Sequence, residues 1–320
     1  MESHEKDGVT QKRPTFLSTY LPLLLTVLFW GSSFPAIKLV LSGFGPFSYI
    51  FFRFVGSSVF FALLLIHRRR RGPLQRKIGR SAHLKLALMA LFEPGLYFLF
   101  ETIGMQYTSA SSASLIIASI PAMVALLAGF ILKEHLVRRE WVGVLLSVAG
   151  AFILAGFDDN AAYAESSLLG NGLVVLAAIS AACYMIIARH LSANVSVLEV
   201  TSYQIFYGAL YFFPVFLFRL PYTDWSRINP EAVGALLFLI LCATLLAFLF
   251  YNTALSKIHA SKAAVFLNGV PVVSVIVSAL LLGEQLGPVQ MAGGVVIIAG
   301  VTLTNIRRRR KPLTDNPPVR

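Results

Sequence analysis

Four ionisable side chains stand inside long apolar stretches of this chain: Lys38, Arg53, Glu93 and Glu101. A charge among apolar neighbours is costly unless it is paired, wetted or able to reach an interface. Two chemistries suit such a set. In one, Arg53 pairs with Glu101 and the charges staple neighbouring helices together. In the other, Lys38 or Arg53 grips a solute carboxylate, while Glu93 or Glu101 faces the solute's amine or carries a proton. Glu93, the deepest of the four, is the preferred proton carrier. Lys38 has a third option, since its long stem can snorkel to the surface. These readings stand side by side at this point.

Aromatic side chains accompany the charges at helical spacing. Trp30, Phe34 and Lys38 are four apart and share one helix face, as do Glu93, Tyr97 and Glu101. Tyr184, Tyr251 and Asn268 lie in apolar stretches further on. Trp30, Phe34, Tyr97, Tyr184 and Tyr251 suit the wall of an amphipathic cavity, where ring faces attract cations. The same rings suit helix packing or interfacial belts. Pro35, Pro121 and Pro271 each remove a backbone hydrogen bond and are candidate helix breaks. Carbonyls freed at a break can meet a solute.

Enzyme chemistry finds little support. The chain has no His-Glu-x-x-His, no paired-Asp metal site, no Gly-x-Ser-x-Gly and no phosphate-binding P-loop. His135, His190 and His259 are scattered among loops. Cys183 and Cys242 offer neither a disulfide framework nor metal-ligand spacing. No catalytic residue, metal or cofactor is expected.

The elements that must hold these residues are membrane helices. Of 320 residues, 57% are hydrophobic and 13% charged, and the mean hydropathy is +0.73. A helix crosses a bilayer core with about 20 apolar residues. Ten such spans are predicted, over residues 20–42, 45–67, 82–105, 109–132, 140–157, 167–189, 196–218, 232–255, 262–282 and 288–306. They leave no room for a soluble domain of ordinary size. A net charge of +12 suits nucleic acid in principle, but its placement argues otherwise. Of 27 Lys and Arg residues, 23 fall in tails and loops on one side, and Arg219 and Arg227 on the other. That is the positive-inside pattern, which puts both termini in the cytoplasm. The runs Arg68–Arg71 and Arg307–Lys311 are topology anchors and candidate contacts for anionic lipid.

The chain also repeats itself. Residues 110–150 recur without a gap as 260–300, at a fixed offset of 150, with ten identities in 41 positions. Pro121 falls on Pro271, Glu134 on Glu284, Gly143 on Gly293 and Gly150 on Gly300. A fixed period marks a duplicated unit. Five spans per copy is an odd number, so the second copy enters the membrane upside down. Loop charges follow that inversion: the cations Lys133, Arg138 and Arg139 have become Gly283, Pro288 and Val289, while the Glu stays. The domains expected are a tail (1–19), a first five-helix repeat (20–157), an external acidic linker (158–166), a second repeat (167–306) and a basic tail (307–320). By the offset, Glu93 and Glu101 fall on Ala243 and Tyr251. A device serving only the shared fold would be expected twice, which favours a functional role for the two carboxylates. Glu134 and Glu284, each before the last helix of its copy, suit helix capping or a lid contact better than solute binding.

The tandem five-span repeats, the Trp30-Gly31-Ser32-Ser33-Phe34 opening and the duplicated Pro121…Glu134…Gly143…Gly150 segment resemble an EamA-type member of the drug/metabolite transporter superfamily. The resemblance covers residues 20–306. It implies an all-α integral membrane fold of ten helices in two inverted repeats, placement in a bacterial inner membrane and export of small metabolites. It also implies a central cavity lined by spans one, three, four, six, eight and nine. The second copy departs from the opening pattern, since Ser180-Ala181-Ala182-Cys183-Tyr184 lacks the Trp. The expected function is secondary transport of amino acids or related metabolites by alternating access. The alternatives are a multidrug or toxic-compound exporter and, in another class, an intramembrane enzyme or a non-transporting scaffold. The partners expected are a small-molecule substrate and membrane lipids, with a coupled proton and a second copy of the chain as further candidates, and no nucleic acid.

Overall fold

The computed structural model describes residues 16–71, 79–131, 133, 137–156, 167–191, 196–255 and 266–305. Helices account for the regular structure, and no strand occurs among the described residues. Seven helical stretches are long and apolar enough to cross a membrane: Tyr20–Gly43, Pro46–Arg68, Arg80–Gly104, Ala110–Ile131, Ser167–Ala188, Leu198–Tyr222 and Pro230–Tyr251. Large apolar side chains face outward, among them Leu280 (77% exposed), Phe152 (69%) and Leu168 (68%). Such a surface suits lipid as solvent.

The first half contains α1 (Phe16–Gly43), α2 (Pro46–Arg71), α3 (Arg80–Ala90), α4 (Tyr97–Gly104), α5 (Ala110–Ile117), α6 (Ile120–Ile131) and α7 (Arg138–Gly156). The second contains α8 (Ser167–Leu191), α9 (Val197–Arg219), α10 (Pro230–Phe238), α11 (Ala247–Leu255), α12 (Gly269–Leu282) and α13 (Pro288–Asn305). Local chemistry sets several ends. Ser196 and Glu199 form a reciprocal capping box at the start of α9. Asn229 accepts from the Ala232 N–H at 2.8 Å, with Pro230 in the first turn of α10. Gly283, at φ 65°, takes the left-handed turn that stops α12.

The fifth, ninth and tenth expected spans correspond to α7, α12 and α13, which are shorter than the seven. Residues 262–265, at the start of the ninth expected span, lie outside the described residues. So do Glu134, the linker 158–166, the C-terminal tail 307–320 and all but the end of the N-terminal tail.

The halves interlock by exchange. The first helix of one half packs on the third and fourth helical regions of the other: α1 on α10, α11 and α12, and α8 on α3, α4, α5 and α6. The remaining helices meet their own equivalents, α2 on α9 and α7 on α13. Both of these pairs run antiparallel. Phe51 stacks on Phe216 at 4.3 Å, while Phe54, a turn further along α2, stacks on Phe212 at 6.1 Å. On the other side Gly143 faces Gly300 and Thr304, and Gly150 faces Gly293 and Ile297.

The repeated glycines therefore line one helix–helix seam. A Cβ at Gly143 would lie 2.6 Å from the Gly300 carbonyl oxygen, and one at Gly150 would lie 2.8 Å from that of Gly293. Only the missing side chains let the two backbones approach so closely. Midway along the seam, Ser147 Oγ donates to the Ile297 carbonyl at 3.4 Å, a contact between residues 150 apart. The main apolar cluster spans both halves, with Phe34, Phe54, Leu154, Ile297 and Val301 among its members.

Candidate functional site

Two helices lose their regular winding at matching places. In the first half, α3 and α4 meet at a kink over Leu91–Leu96, where Glu93 is extended at φ −143°, ψ 114°. In the second, α10 and α11 are joined by a π-helical segment, Leu239–Leu246. At an offset of 150 the two overlap. Pro94 accounts for the first interruption, since it brings no N–H to the ladder. The second segment, Leu-Ile-Leu-Cys-Ala-Thr-Leu-Leu, contains neither Pro nor Gly.

A second matched pair lies between α5 and α6 and before α12. The chain turns at Ala118-Ser119 and at Asn268, equivalent places, with Pro121 and Pro271 in the first turn of the helix that follows. Asn268 is half-buried and caps no backbone N–H with its side chain. Pro35, by contrast, does not divide its helix: α1 continues through it to Gly43. One lost backbone bond is tolerated where packed neighbours hold the helix on both sides.

The carbonyls at the first pair of interruptions are met from the opposite half. Trp30 Nε1 donates to the Ala243 carbonyl at 3.0 Å, and Ser180 Oγ donates to that of Phe92 at 2.8 Å. Gln204 Nε2 reaches the Glu93 carbonyl at 2.9 Å, and the Tyr184 hydroxyl donates to Gln204 Oε1 at 3.4 Å. The Trp30 ring tilts against Tyr251 at 5.3 Å and sits edge-on to Phe248 at 5.5 Å.

Arg53 does not form the expected pair with Glu101. Its Nε donates to Thr244 Oγ1 at 3.1 Å, its Nη1 donates to the Tyr49 hydroxyl at 2.7 Å, and its guanidinium lies 4.6 Å from the centre of the Phe98 ring. It is 5% exposed and tied to the second interruption. Two hydroxyls, rather than a carboxylate, take its Nε and Nη1 donors. Its charge still acts on Glu101 through space.

Glu101 is buried and accepts from the Tyr97 hydroxyl at 2.8 Å through Oε1, while its Oε2 has no hydrogen-bond partner among the described residues. Glu93 is half-buried. Its carbonyl is joined to Tyr184 through Gln204, and the Tyr97 ring meets Phe98, the ring that Arg53 covers. Seven of the sequence candidates are thereby gathered: Trp30, Tyr251, Tyr184, Glu93, Tyr97, Glu101 and Arg53. Phe34 is packed in the main apolar cluster. Lys38 is half-buried, two turns beyond Trp30 on α1.

Glu284 has a separate place. Its carboxylate accepts from the Ala110 N–H at 2.9 Å, the Ser111 N–H at 3.0 Å and the Ser111 hydroxyl at 2.9 Å. It caps α5, a helix of the other half, at the end where free N–H groups and the helix dipole favour an anion. Gln290 Nε2 adds a bond to Ser112 Oγ at 3.0 Å.

Sequence reasoning had not singled out Ser180, Gln204, Thr244 or Tyr49 for the site. Each is an ordinary polar residue within a helix. The only available signal was the offset, which places Ser180 on Trp30 and Thr244 on Pro94.

Residues 17–156 and 168–306 each match the EamA-like transporter family. The chain belongs to that family: it is a transporter and a multi-pass membrane protein. It is 27% identical to "Uncharacterized transporter YetK" of Bacillus subtilis, over 95% of this chain and 91% of that protein. It is 28% identical to an uncharacterized transporter of Archaeoglobus fulgidus, over 91% of this chain and 99% of that one. It is also 29% identical to a protein of Streptantibioticus cattleyicolor named "Probable terminal-alkyne amino-acid exporter", over 91% of this chain and 96% of the other. A crystal structure 15% identical in sequence shares the fold with a TM-score of 0.59, covering 88% of this chain and 94% of that one.

Proposed function

We propose that the protein is a secondary exporter of amino acids or closely related amine-bearing metabolites, working by alternating access across a bacterial inner membrane. Residues 20–157 and 167–306 form two inverted repeats of five helices each. The tails 1–19 and 307–320 lie in the cytoplasm and the linker 158–166 lies outside. One observation carries the reading: the matched interruptions at Leu91–Leu96 and Leu239–Leu246, each met by side chains of the opposite half. Interrupted helices at corresponding places in two halves mark the binding site of transporters built this way. The antiparallel packing of α7 on α13 and of α2 on α9 supports the inversion.

In this reading Glu93 receives the solute's ammonium group, and the rings of Trp30, Tyr97, Tyr184 and Tyr251 hold its apolar part. Arg53 is occupied by Tyr49 and Thr244 and serves the fold. Glu93 also carries the coupled proton, so solute and proton compete for one carboxylate. The exporter name of the Streptantibioticus relative supports amino acids as the first class to test.

The test is counterflow in proteoliposomes against a panel of amino acids, nucleobases and quaternary-ammonium drugs. The reading expects exchange of at least one amino acid, reduced more than about tenfold by Glu93→Ala, as befits loss of a charge-assisted contact. Exchange of the drugs alone would move the substrate class to toxic cations. No exchange by a folded preparation would sink the proposal.

A further inference from the structure

Glu93 interrupts its helix where two carbonyls take donors from elsewhere: its own, and that of Phe92, which also accepts from the Tyr97 N–H. Its extended backbone turns the peptide before it and the peptide after it away from regular winding. Carbonyls at membrane depth need partners. The Phe92 carbonyl, in the peptide before Glu93, accepts from Ser180 Oγ at 2.8 Å. The Glu93 carbonyl, in the peptide after it, accepts from Gln204 Nε2 at 2.9 Å. Both donors belong to the second half, one on α8 and one on α9. Gly208, one turn beyond Gln204, leaves room for the Pro94 ring, which a Cβ there would overlap. The two peptide planes that flank the Glu93 Cα are thus gripped from the opposite repeat. Together those planes fix the direction of its Cα–Cβ bond.

We propose that Ser180 and Gln204 are positioning residues that aim the Glu93 carboxylate at the solute. The proposal rests on the reading of Glu93 as solute-facing. The second interruption separates pairing from aiming. There Trp30 meets the Ala243 carbonyl at 3.0 Å, and Ala243 is the repeat equivalent of Glu93. A cross-repeat donor serves the backbone at both places, but only the first carries a side chain that needs direction. Gln204 does more than satisfy a carbonyl, because its other end accepts from Tyr184. The carboxylate and one of its neighbouring rings are therefore set by one amide.

The test follows the reactivity of a thiol at position 93. Full-length protein carrying Cys183→Ala, Cys242→Ala and Glu93→Cys is purified in detergent and treated with a trimethylammonium methanethiosulfonate. Ser180→Ala combined with Gln204→Leu, which removes both donors, should slow modification about tenfold or more. Ser180→Thr, which keeps the hydroxyl, should leave the rate as it was. A second reporter, Tyr251→Cys in place of Glu93→Cys, should not respond to the double change. Equal rates at position 93 with and without the donors would overturn the proposal. Equal slowing at 93 and 251 would also overturn it, since that is general loosening. A thiol at 93 that the reagent never reaches, even with both donors present, would instead remove the solute-facing reading beneath it.

Discussion

Trp30 and Ser180 occupy one position of the repeat, 150 residues apart, and each donates a hydrogen bond to the interrupted helix of the opposite half. The donors differ, an indole N–H and a hydroxyl, but the acceptors, Ala243 and Phe92, lie within one residue of equivalence. Each half therefore donates to a backbone carbonyl in the irregular segment of the other.

The seam between α7 and α13 tolerates no added volume. Gly300→Leu should lower stability by about 3 kcal/mol or more, since its Cβ alone would lie 2.6 Å from the Gly143 carbonyl. Gly234→Ala is the control. Among the described residues nothing lies within 4 Å of its Cβ position in α10, and alanine there should gain up to about 1 kcal/mol of helix propensity. Thermal unfolding of the two variants in detergent compares them directly.

Glu284→Ala should cost about 3 kcal/mol, because it strips the acceptor from two backbone N–H groups and one hydroxyl at the start of α5. Glu140→Ala removes an exposed bond to the Val137 N–H and should cost only about 0.5 kcal/mol. Similar losses in the two variants would show that the cross-repeat cap contributes no more than a surface contact.

Glu93→Gln keeps the shape of the side chain and removes its ability to take up and release a proton. In vesicles, an imposed pH gradient should no longer drive transport by this variant, while exchange at equal pH survives at a reduced rate. An undiminished response to the gradient would transfer proton coupling away from Glu93.

The inversion makes a sided prediction. Single cysteines at Arg70, in the last turn of α2, and at Thr223, after α9, should react with an impermeant thiol reagent from opposite faces of the membrane. Arg70 should label from the cytoplasmic side and Thr223 from outside. Labelling of both from one face would exclude an upside-down second copy.

Much of this architecture could be read from residue order because lipid selects strongly for composition. Uninterrupted apolar stretches announce spans, and the offset of 150 announces the duplication through Pro121, Glu134, Gly143 and Gly150. Pro35, Pro121 and Pro271 were the expected breaks, and the interruption at Pro94 was not among them. The matching segment at Leu239–Leu246 carries no breaker, since its winding is set by the helices around it and by Trp30 and Arg53. For the same reason the partners of Arg53 were missed: Tyr49 is one turn away, but Thr244 is 191 residues distant. Glu284 was expected to cap a helix or make a lid contact, and only the fold reveals that it caps a helix of the other half.

The α7–α13 seam has a further consequence. Its glycine contacts recur with roles reversed: Gly143 against Gly300 and Gly293 against Gly150, Gly150 against Ile297 and Gly300 against Ser147. That is the geometry of an isologous interface, the kind a single gene product forms with itself about a two-fold axis. A free-standing five-helix ancestor bearing this surface would be self-complementary, and each of its mutations would be felt on both sides at once. Joining two copies in one chain lifts that constraint. Ser147 can now face Ile297, and a carboxylate can be kept at position 93 while its counterpart at 243 is an alanine.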